Sequence, residues 1–150
     1  MSKVTEVKVW ATAFFTALST WLGTLAIPVY ILVGLNIADY CTGLAAAHYR
    51  GERVSSDIGF RGIAKKVCMW LLVALGAVVD WLLLYAADAI GFQSPLQFLA
   101  ASAVAIWLIC NELISILENI GDIGVAVPGF LQKLVELVKD KAEPKGEDKQ

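Results

Sequence analysis

Apolar residues dominate three long stretches of the chain. These stretches cover about 9–47, 67–87 and 96–117. The first is close to twice the roughly 20 residues that cross a bilayer as a helix, whereas each of the others has about the length of one crossing. Because Gly23 and Pro28 interrupt the first stretch, it predicts two helical segments, at about 4–22 and 28–48.

The first segment has a hydroxyl-rich side and an aromatic side when it is placed on a helix. Thr12 and Thr16 share one side, and Trp10 and Phe14 share the other, so the segment is amphipathic without being charged. Three placements stay open: the helix lies in the membrane interface, partly inserted, it crosses the bilayer, or it has an irregular arrangement. Residues 1–8 lead into it without a small-residue cleavage site behind a short apolar core, so it does not resemble a signal peptide.

Two of the predicted crossing helices carry an acidic residue. The second segment places Asp39 on one face with Asn36 and Gly43, and the glycine makes that face suitable for close helix packing. The third helix, predicted at about 58–88, carries Asp80 in its outer half. A buried carboxylate costs several kcal/mol unless it is paired, protonated or hydrated. Asp39 is therefore expected to have a partner.

The loop at 49–66, between the second and third helices, is strongly basic. Its charged residues are Arg50, Arg53, Arg61, Lys65 and Lys66, against Glu52 and Asp57. Cytoplasmic loops of membrane proteins carry an excess of positive charge, so this loop is predicted to face the cytoplasm. Ser55 or Ser56 is suited to cap the helix that follows. The uncharged stretch 91–95 is predicted as a loop on the outer side.

A polar stripe marks the end of the fourth helix, which is predicted at about 95–120. At about 100° per residue, its polar side chains fall within roughly a third of the helix circumference. They are Asn111, Glu112, Ser115, Glu118 and Asn119. The apolar residues before them offer almost no polar face, so the stripe is predicted to face protein or water inside a helix bundle.

Gly124 and Pro128 stop the fourth helix and predict the start of another. Apolar and charged residues lie on opposite faces at 128–140, which predicts an amphipathic helix on the cytoplasmic surface. The charged stretch 141–150 predicts a disordered cytoplasmic tail. The predicted fold is an all-α integral membrane protein with a single helical domain at 1–140. It has about three transmembrane helices, an N-terminal amphipathic or membrane-inserted helix and a C-terminal amphipathic interfacial helix.

This order of helices brings several polar groups to one depth near the cytoplasmic face. Asp39 lies in the second helix, Lys65 and Lys66 begin the third, and the polar stripe ends the fourth. We hypothesise that they form an interhelical cluster of ion pairs and hydrogen bonds. The alternative is that the lysines extend to the lipid headgroups while the glutamates are solvated at the helix end.

Composition agrees with a membrane setting and excludes several functions. Of 150 residues, 58% are hydrophobic, more than the roughly 45–50% of ordinary soluble domains. The formal charge is −2, and the basic residues cluster in one loop and the tail without a series of interleaved aromatic residues, which argues against nucleic-acid binding. Cys41, Cys68 and Cys110 are predicted to be small buried apolar residues. His48 is a lone interfacial residue. We identify no catalytic set, metal-ligand set or cofactor motif, and we predict that the protein is not an enzyme.

Four motifs in order resemble those of a bacteriophage holin family that includes phage-lysis and toxin-secretion holins. They are A-D-Y-C-T-G at 38–43, S-x-x-G-x-x-G-x-x-K-K at 56–66, N-E-x-x-S-x-x-E-N at 111–119 and G-x-x-x-P at 124–128. The resemblance covers about 27–137. Cys41 stands where the family usually has a branched aliphatic residue, and the segment up to Gly23 matches only in character.

The resemblance implies a multi-pass protein of the bacterial cytoplasmic membrane that forms homo-oligomers and opens lesions. An endolysin, or in some relatives a toxin, passes through these lesions without necessarily binding the protein. The bilayer and further copies of the chain are the implied partners, and no cofactor is implied. Two other functions stay open: a small carrier or proton-linked transporter, which would use Asp39, Asp80 and Glu112 as a relay, and a scaffolding membrane protein.

Overall fold

The computed structural model describes residues 2–52, 56–92 and 97–142, apart from the side chains of 56–58 and 61. These residues form helices α1 Lys3–Leu22, α2 Ala26–Tyr49, α3 Ser56–Ala89, α4 Leu99–Asp122 and α5 Gly129–Ala142, with a 3₁₀ turn at Gly23–Leu25. The stretches long and apolar enough to cross a membrane are Lys3–Tyr49, Gly62–Ala89 and Leu99–Asp122. The prediction of an all-α membrane protein with an additional N-terminal and C-terminal helix is confirmed.

Gly23 ends α1, whereas Pro28 does not interrupt α2. Gly23 has φ 53° and ψ −123°, a backbone conformation that suits glycine, and its N–H donates to the carbonyl of Ser19. Pro28 is the third residue of α2, and in the first turn its missing N–H breaks no helical hydrogen bond. Gly23, and not Pro28, therefore causes the break between the first two helices.

Helix α1 is attached to the bundle only near its end. Leu22 is buried, but residues 2–17 are all exposed. The Ser19 hydroxyl lies 2.7 Å from the Tyr30 hydroxyl, and the rings of Phe15 and Tyr30 meet edge to face. The first three turns of α1 are thus exposed on all sides.

Helix α4 is the centre of the bundle, since α2, α3 and α5 all pack on it. Its inward side repeats at helical spacing: Ala101, Ala105, Leu108 and Glu112 are all buried. The two alanines are small enough for neighbouring helices to approach closely. The core around them includes Leu32 from α2 and both Met69 and Val73 from α3.

A residue with a left-handed backbone directly precedes helix α4. Phe98 has a left-handed backbone, φ 57° and ψ 37°, and L-residues do not continue a right-handed helix through that conformation. The first helical residue is therefore Leu99. The predicted start, most of the predicted outer loop at 91–95 and the predicted cap at Ser55 lie outside the described residues, as do residues 143–150 of the predicted tail.

Gly124 terminates α4, and α5 turns back along it. Gly124 has φ 96°, and its N–H donates to the Gly121 carbonyl, a common glycine-based helix end. Pro128 directly precedes α5, and its carbonyl accepts from Leu131. The Nζ of Lys139 in α5 lies 5.5 Å from the ring centroid of Trp107 in the middle of α4.

Only one edge of α5 is used against α4. Val135 is buried, whereas the apolar residues predicted to form its membrane face are exposed. They are Phe130, Leu131, Leu134, Leu137 and Val138. The packing on α4 therefore leaves the apolar side of α5 open to lipid.

The prediction that all three cysteines are buried is wrong for two of them. Cys110 is buried in the bundle, but Cys41 and Cys68 are exposed. Their thiols lie on outward faces of α2 and α3. An apolar residue suits a lipid-facing position as well as a core position, so hydropathy alone does not separate the two.

Core packing on α4 can be tested by truncating a buried and an exposed leucine. Leu108→Ala is expected to lower the free energy of unfolding by about 2 kcal/mol, because it leaves a cavity at the helix contacts. Leu83→Ala removes an exposed side chain and is expected to change it by less than about 0.5 kcal/mol. Unfolding in mixed micelles, followed by circular dichroism, measures both. Equal losses would contradict the assigned core.

Candidate functional site

One lysine on α3 joins two acidic residues from the helices on either side. The Nζ of Lys66 donates to Asp39 Oδ2 of α2 at 2.9 Å and to Glu112 Oε2 of α4 at 2.6 Å. Glu112 is 1% exposed, and the side chains of Lys66 and Asp39 are 16% and 15% exposed. A single ammonium group therefore links three helices at one level of the bundle.

Neutral side chains supply the further hydrogen bonds that a buried carboxylate needs. With its amide nitrogen turned toward Glu112, Asn36 donates to Oε2 at 3.1 Å and accepts from Trp70 Nε1 at 3.2 Å. Asn36 is itself 7% exposed. Glu112 thus accepts hydrogen bonds from both an ammonium and an amide inside the apolar bundle, and both lower the cost of burying it.

A second layer surrounds the other carboxylate. Asn119 Nδ2 donates to Asp39 Oδ1 and to the Thr42 hydroxyl, both at 3.2 Å. Gly43 lies beside this amide, and a methyl group there would sit 3.6 Å from Asn119 Nδ2, an ordinary contact distance. The glycine therefore gives room at the α2–α4 contact without being sterically required. We call Asn36, Asp39, Lys66, Glu112 and Asn119 the charge cluster.

The rest of the predicted polar stripe faces a different side of α4. Asn111 and Glu118 line a groove between α3, α4 and α5 instead of contacting Asp39. Ser115 borders both this groove and the pocket beside Asp39. Lys65 is exposed and also lines both spaces. The structure thus divides the predicted set: Glu112 and Asn119 bond within the charge cluster, Ser115 lies beside Asp39, and Asn111 and Glu118 face the groove.

Two residues of the site, Thr42 and Trp70, were not predicted from the sequence, and Asn36 was predicted without a partner. Thr42 and Trp70 hydrogen bond within the site. Thr42 belongs to the motif at 38–43, but neither residue carries a charge that would mark it as a partner for a buried carboxylate. Asn36 shares a helix face with Asp39 in the sequence, one turn away. Its partners could not be assigned, because they depend on how α2 and α4 are rotated against each other.

Arg50 adds an exposed link where α2 and α4 end. Its guanidinium donates to Glu52 at 2.9 Å and also to Asp122, the last residue of α4. The hydrogen bond from Arg50 lowers the pKa of the Glu52 carboxyl below its ordinary value. Exposed ion pairs of this kind contribute little to the free energy of folding. Arg50 therefore connects the ends of the two helices without stabilising them much.

Asp80 lies in the other half of α3, inside the helix, and has partners of another kind. Its Oδ1 accepts from the backbone N–H of Ala100 and its Oδ2 from that of Ala101, each at 2.8 Å. Asp80 is 5% exposed. These N–H groups belong to the first turn of α4, where helical partners are missing. The acidic residue predicted in the outer half of the third helix therefore caps the fourth.

The chemistry available at this site is electrostatic. Within the described ranges 2–52, 56–92 and 97–142, no three His, Cys, Asp or Glu side chains come together as a metal site. The charge cluster contains two carboxylates and one ammonium group, fixed by amide and hydroxyl donors. Such an arrangement holds helices together in an apolar surrounding, and it becomes favourable to hydrate when water is admitted.

The fold and the charge cluster define a small helical membrane protein whose apolar helices are joined by buried charges. The bacteriophage holin family matches residues 16–140, which include all four motifs. The chain therefore belongs to the bacteriophage holin family. Membership of this family implies association with membranes and oligomerisation.

Several relatives match most of the chain. A protein of Listeria monocytogenes is 38% identical over 128 residues, which cover 85% of this chain and 81% of the relative. A protein of Clostridium perfringens is 30% identical over a region that covers 85% of this chain and 87% of the relative. A probable holin of Bacillus phage phi105 is 24% identical over 78% of each chain. No solved structure matches.

Removing the shared ammonium group tests the charge cluster. Lys66→Met leaves two buried carboxylates without their cation and is expected to lower the free energy of unfolding by about 3 kcal/mol. Lys65→Met removes the neighbouring exposed charge and is expected to change it by less than about 0.5 kcal/mol. Reversible unfolding in mixed micelles measures the difference. Similar effects of both substitutions would contradict the assignment.

A neutral version of the cluster separates lost pairing from lost packing. The triple variant Asp39→Asn, Glu112→Gln, Lys66→Met carries no unpaired charge, and we expect it to regain at least half of the stability that Lys66→Met loses. If the triple variant is no more stable than Lys66→Met, the loss of unfolding free energy is due to side-chain packing and not to lost ion pairing.

Proposed function

We propose that the protein is a holin that oligomerises in the bacterial cytoplasmic membrane and opens non-selective lesions there. Endolysin, or an exported toxin, leaves the cytoplasm through these lesions. The observation that carries the proposal is the charge cluster, in which Lys66 holds Asp39 and Glu112 between apolar helices. Membership of the bacteriophage holin family supports the same role, as does the probable holin among the relatives.

In this proposal the charge cluster stabilises a resting bundle. Both carboxylates are already bonded within the chain, so neither is left without a partner in the resting protein. Separation of the helices would expose these groups and would be favourable only where water replaces the lost partners. The same side chains could then line a water-filled opening, while a closed bundle keeps the membrane sealed.

The end of the bundle with Lys65 and Lys66 faces the cytoplasm in this proposal. The basic residues of the loop at 49–66 favour that side. Helix α5 and the tail at 141–150 then lie on the cytoplasmic side too, and the exposed apolar side of α5 rests against the inner leaflet. The exposed first turns of α1 supply further apolar surface for lipid or for another copy of the chain.

Inducible expression in a bacterium tests the function directly. The chain is expressed with and without a cytoplasmic muralytic enzyme, and culture density is followed over time. We expect abrupt lysis only when both are present, because the enzyme needs a protein-sized opening to reach the cell wall. Lys66→Met is expected to change the onset of lysis, whereas Lys65→Met serves as its matched control.

Reconstituted vesicles distinguish a lesion from a carrier. Vesicles loaded with a small dye and with a folded fluorescent protein should release both if the chain opens large lesions. Release of the dye alone, or of neither cargo, would contradict the proposal and favour a small carrier or a scaffolding protein.

A further inference from the structure

The amino end of α4 lies against the interior of α3, away from the end of that helix. α3 continues from Asp80 to Ala89, about 13 Å beyond the level at which α4 begins. The segment Gly62–Ala89 is among the most apolar of the chain. The first turn of α4 therefore begins beside an apolar part of α3, and when this segment crosses a membrane its free N–H groups need partners from the protein.

Asp80 of the neighbouring helix supplies acceptors for the free N–H groups at this helix end. The N-cap residue of α4, Phe98, makes no side-chain hydrogen bond to the helix. Instead, the two oxygens of Asp80 accept from Ala100 and Ala101 at 2.8 Å each, and the N–H of Ser102 donates to the carbonyl of Phe98. A carboxylate at this position also interacts favourably with the helix dipole.

Gly76 provides the close approach that this contact needs. It lies one turn before Asp80 on the same face of α3. A methyl group at position 76 would sit 2.8 Å from the Cα and 3.0 Å from the nitrogen of Ala101. Because both are backbone atoms, the helices would have to separate to accept even an alanine. Glycine and aspartate, four residues apart, thus form one docking surface for the α4 backbone.

The joint between α1 and α2 rests on the same end of α4. The 3₁₀ turn Gly23–Leu25 contacts α4, and the Thr24 hydroxyl donates to the carbonyl of Gln97 just before this helix. Leu25 is 3% exposed and belongs to the same core as Ala101. Movement of the α4 amino end would therefore loosen the attachment of α1 as well as the α3–α4 contact.

We propose that Gly76 and Asp80 form a latch that holds the amino end of α4 on α3, and that release of this latch starts the opening of the bundle. The proposal rests on the proposed function for its consequence, the lesion, while the latch itself is a property of the single chain. Once the α4 N–H groups leave Asp80, they and the carboxylate need new polar partners. In an apolar layer, entering water supplies them, so release of the latch and hydration of the α3–α4 seam occur together.

Hydrogen exchange tests the latch in the full-length protein, reconstituted in nanodiscs of phosphatidylglycerol and phosphatidylethanolamine. Asp80→Asn weakens the carboxylate contact, and Gly76→Ala separates the helices by a different route. We expect both to speed exchange of the Ala100 and Ala101 amides by at least about tenfold. Exchange at Ser115–Asn119, at the other end of α4, should stay unchanged. Unchanged exchange there would show that the variants remain folded.

Two matched variants serve as controls. Asp88→Asn makes the same charge change at an exposed position two turns further along α3, and Gly34→Ala adds a methyl group where nothing lies within 4 Å. Both are expected to exchange like the wild-type chain. Unchanged exchange at Ala100 and Ala101 in Asp80→Asn, or an equal increase in Asp88→Asn, would overturn the latch.

Lysis timing tests the consequence of release. Under inducible expression with a muralytic enzyme, Asp80→Asn and Gly76→Ala should trigger lysis earlier than the wild-type chain and the two controls. Faster exchange with unchanged or later lysis would overturn the latch as the starting point of opening, while leaving the holin function intact. A wild-type chain that causes no lysis would overturn the proposed function and with it the role of release, and the exchange difference would then establish only the structural contact.

Discussion

The bundle depends on the sharing of one ammonium group between two carboxylates. Lys66 contacts Asp39 and Glu112 at 2.9 and 2.6 Å, and each of these side chains belongs to a different helix. In an apolar surrounding an unpaired charge is far more costly than in water, so the ammonium needs a carboxylate, and each carboxylate needs the ammonium or other hydrogen-bond donors. Asn36 and Asn119 complete the hydrogen bonding, and together these contacts determine how the helices are rotated against each other.

A second polar contact secures α4 at its other end. Lys66 and Asp80 are about 21 Å apart along α3, and each binds α4, the first through Glu112 and the second through the backbone of Ala100 and Ala101. Between them the contact consists of small and apolar side chains such as Ala105. Apolar helices gain no hydrophobic driving force from each other in lipid, so the charged contacts at the two ends supply much of the specificity.

This arrangement suits a protein that must be stable in the membrane and then open it. Buried polar contacts are favourable only while they are complete, because a half-satisfied carboxylate in lipid is strongly unfavourable. The same groups are readily hydrated once water reaches them. In the proposed holin function, such a bundle is sealed while these contacts are complete and becomes hydrated once the helices separate.

The sequence by itself determined the class of fold, because the length and hydropathy of its apolar stretches are imposed by the thickness of a bilayer. It also determined that Asp39 needed a partner and that Glu112 and Lys66 lay at a similar depth. It could not separate Glu112 and Asn119, which enter the charge cluster, from Asn111 and Glu118, which line another groove. Only the tertiary structure decided this, and likewise that Asp80 caps α4, because helix rotation and contact between distant turns follow from packing between helices and not from periodicity within one.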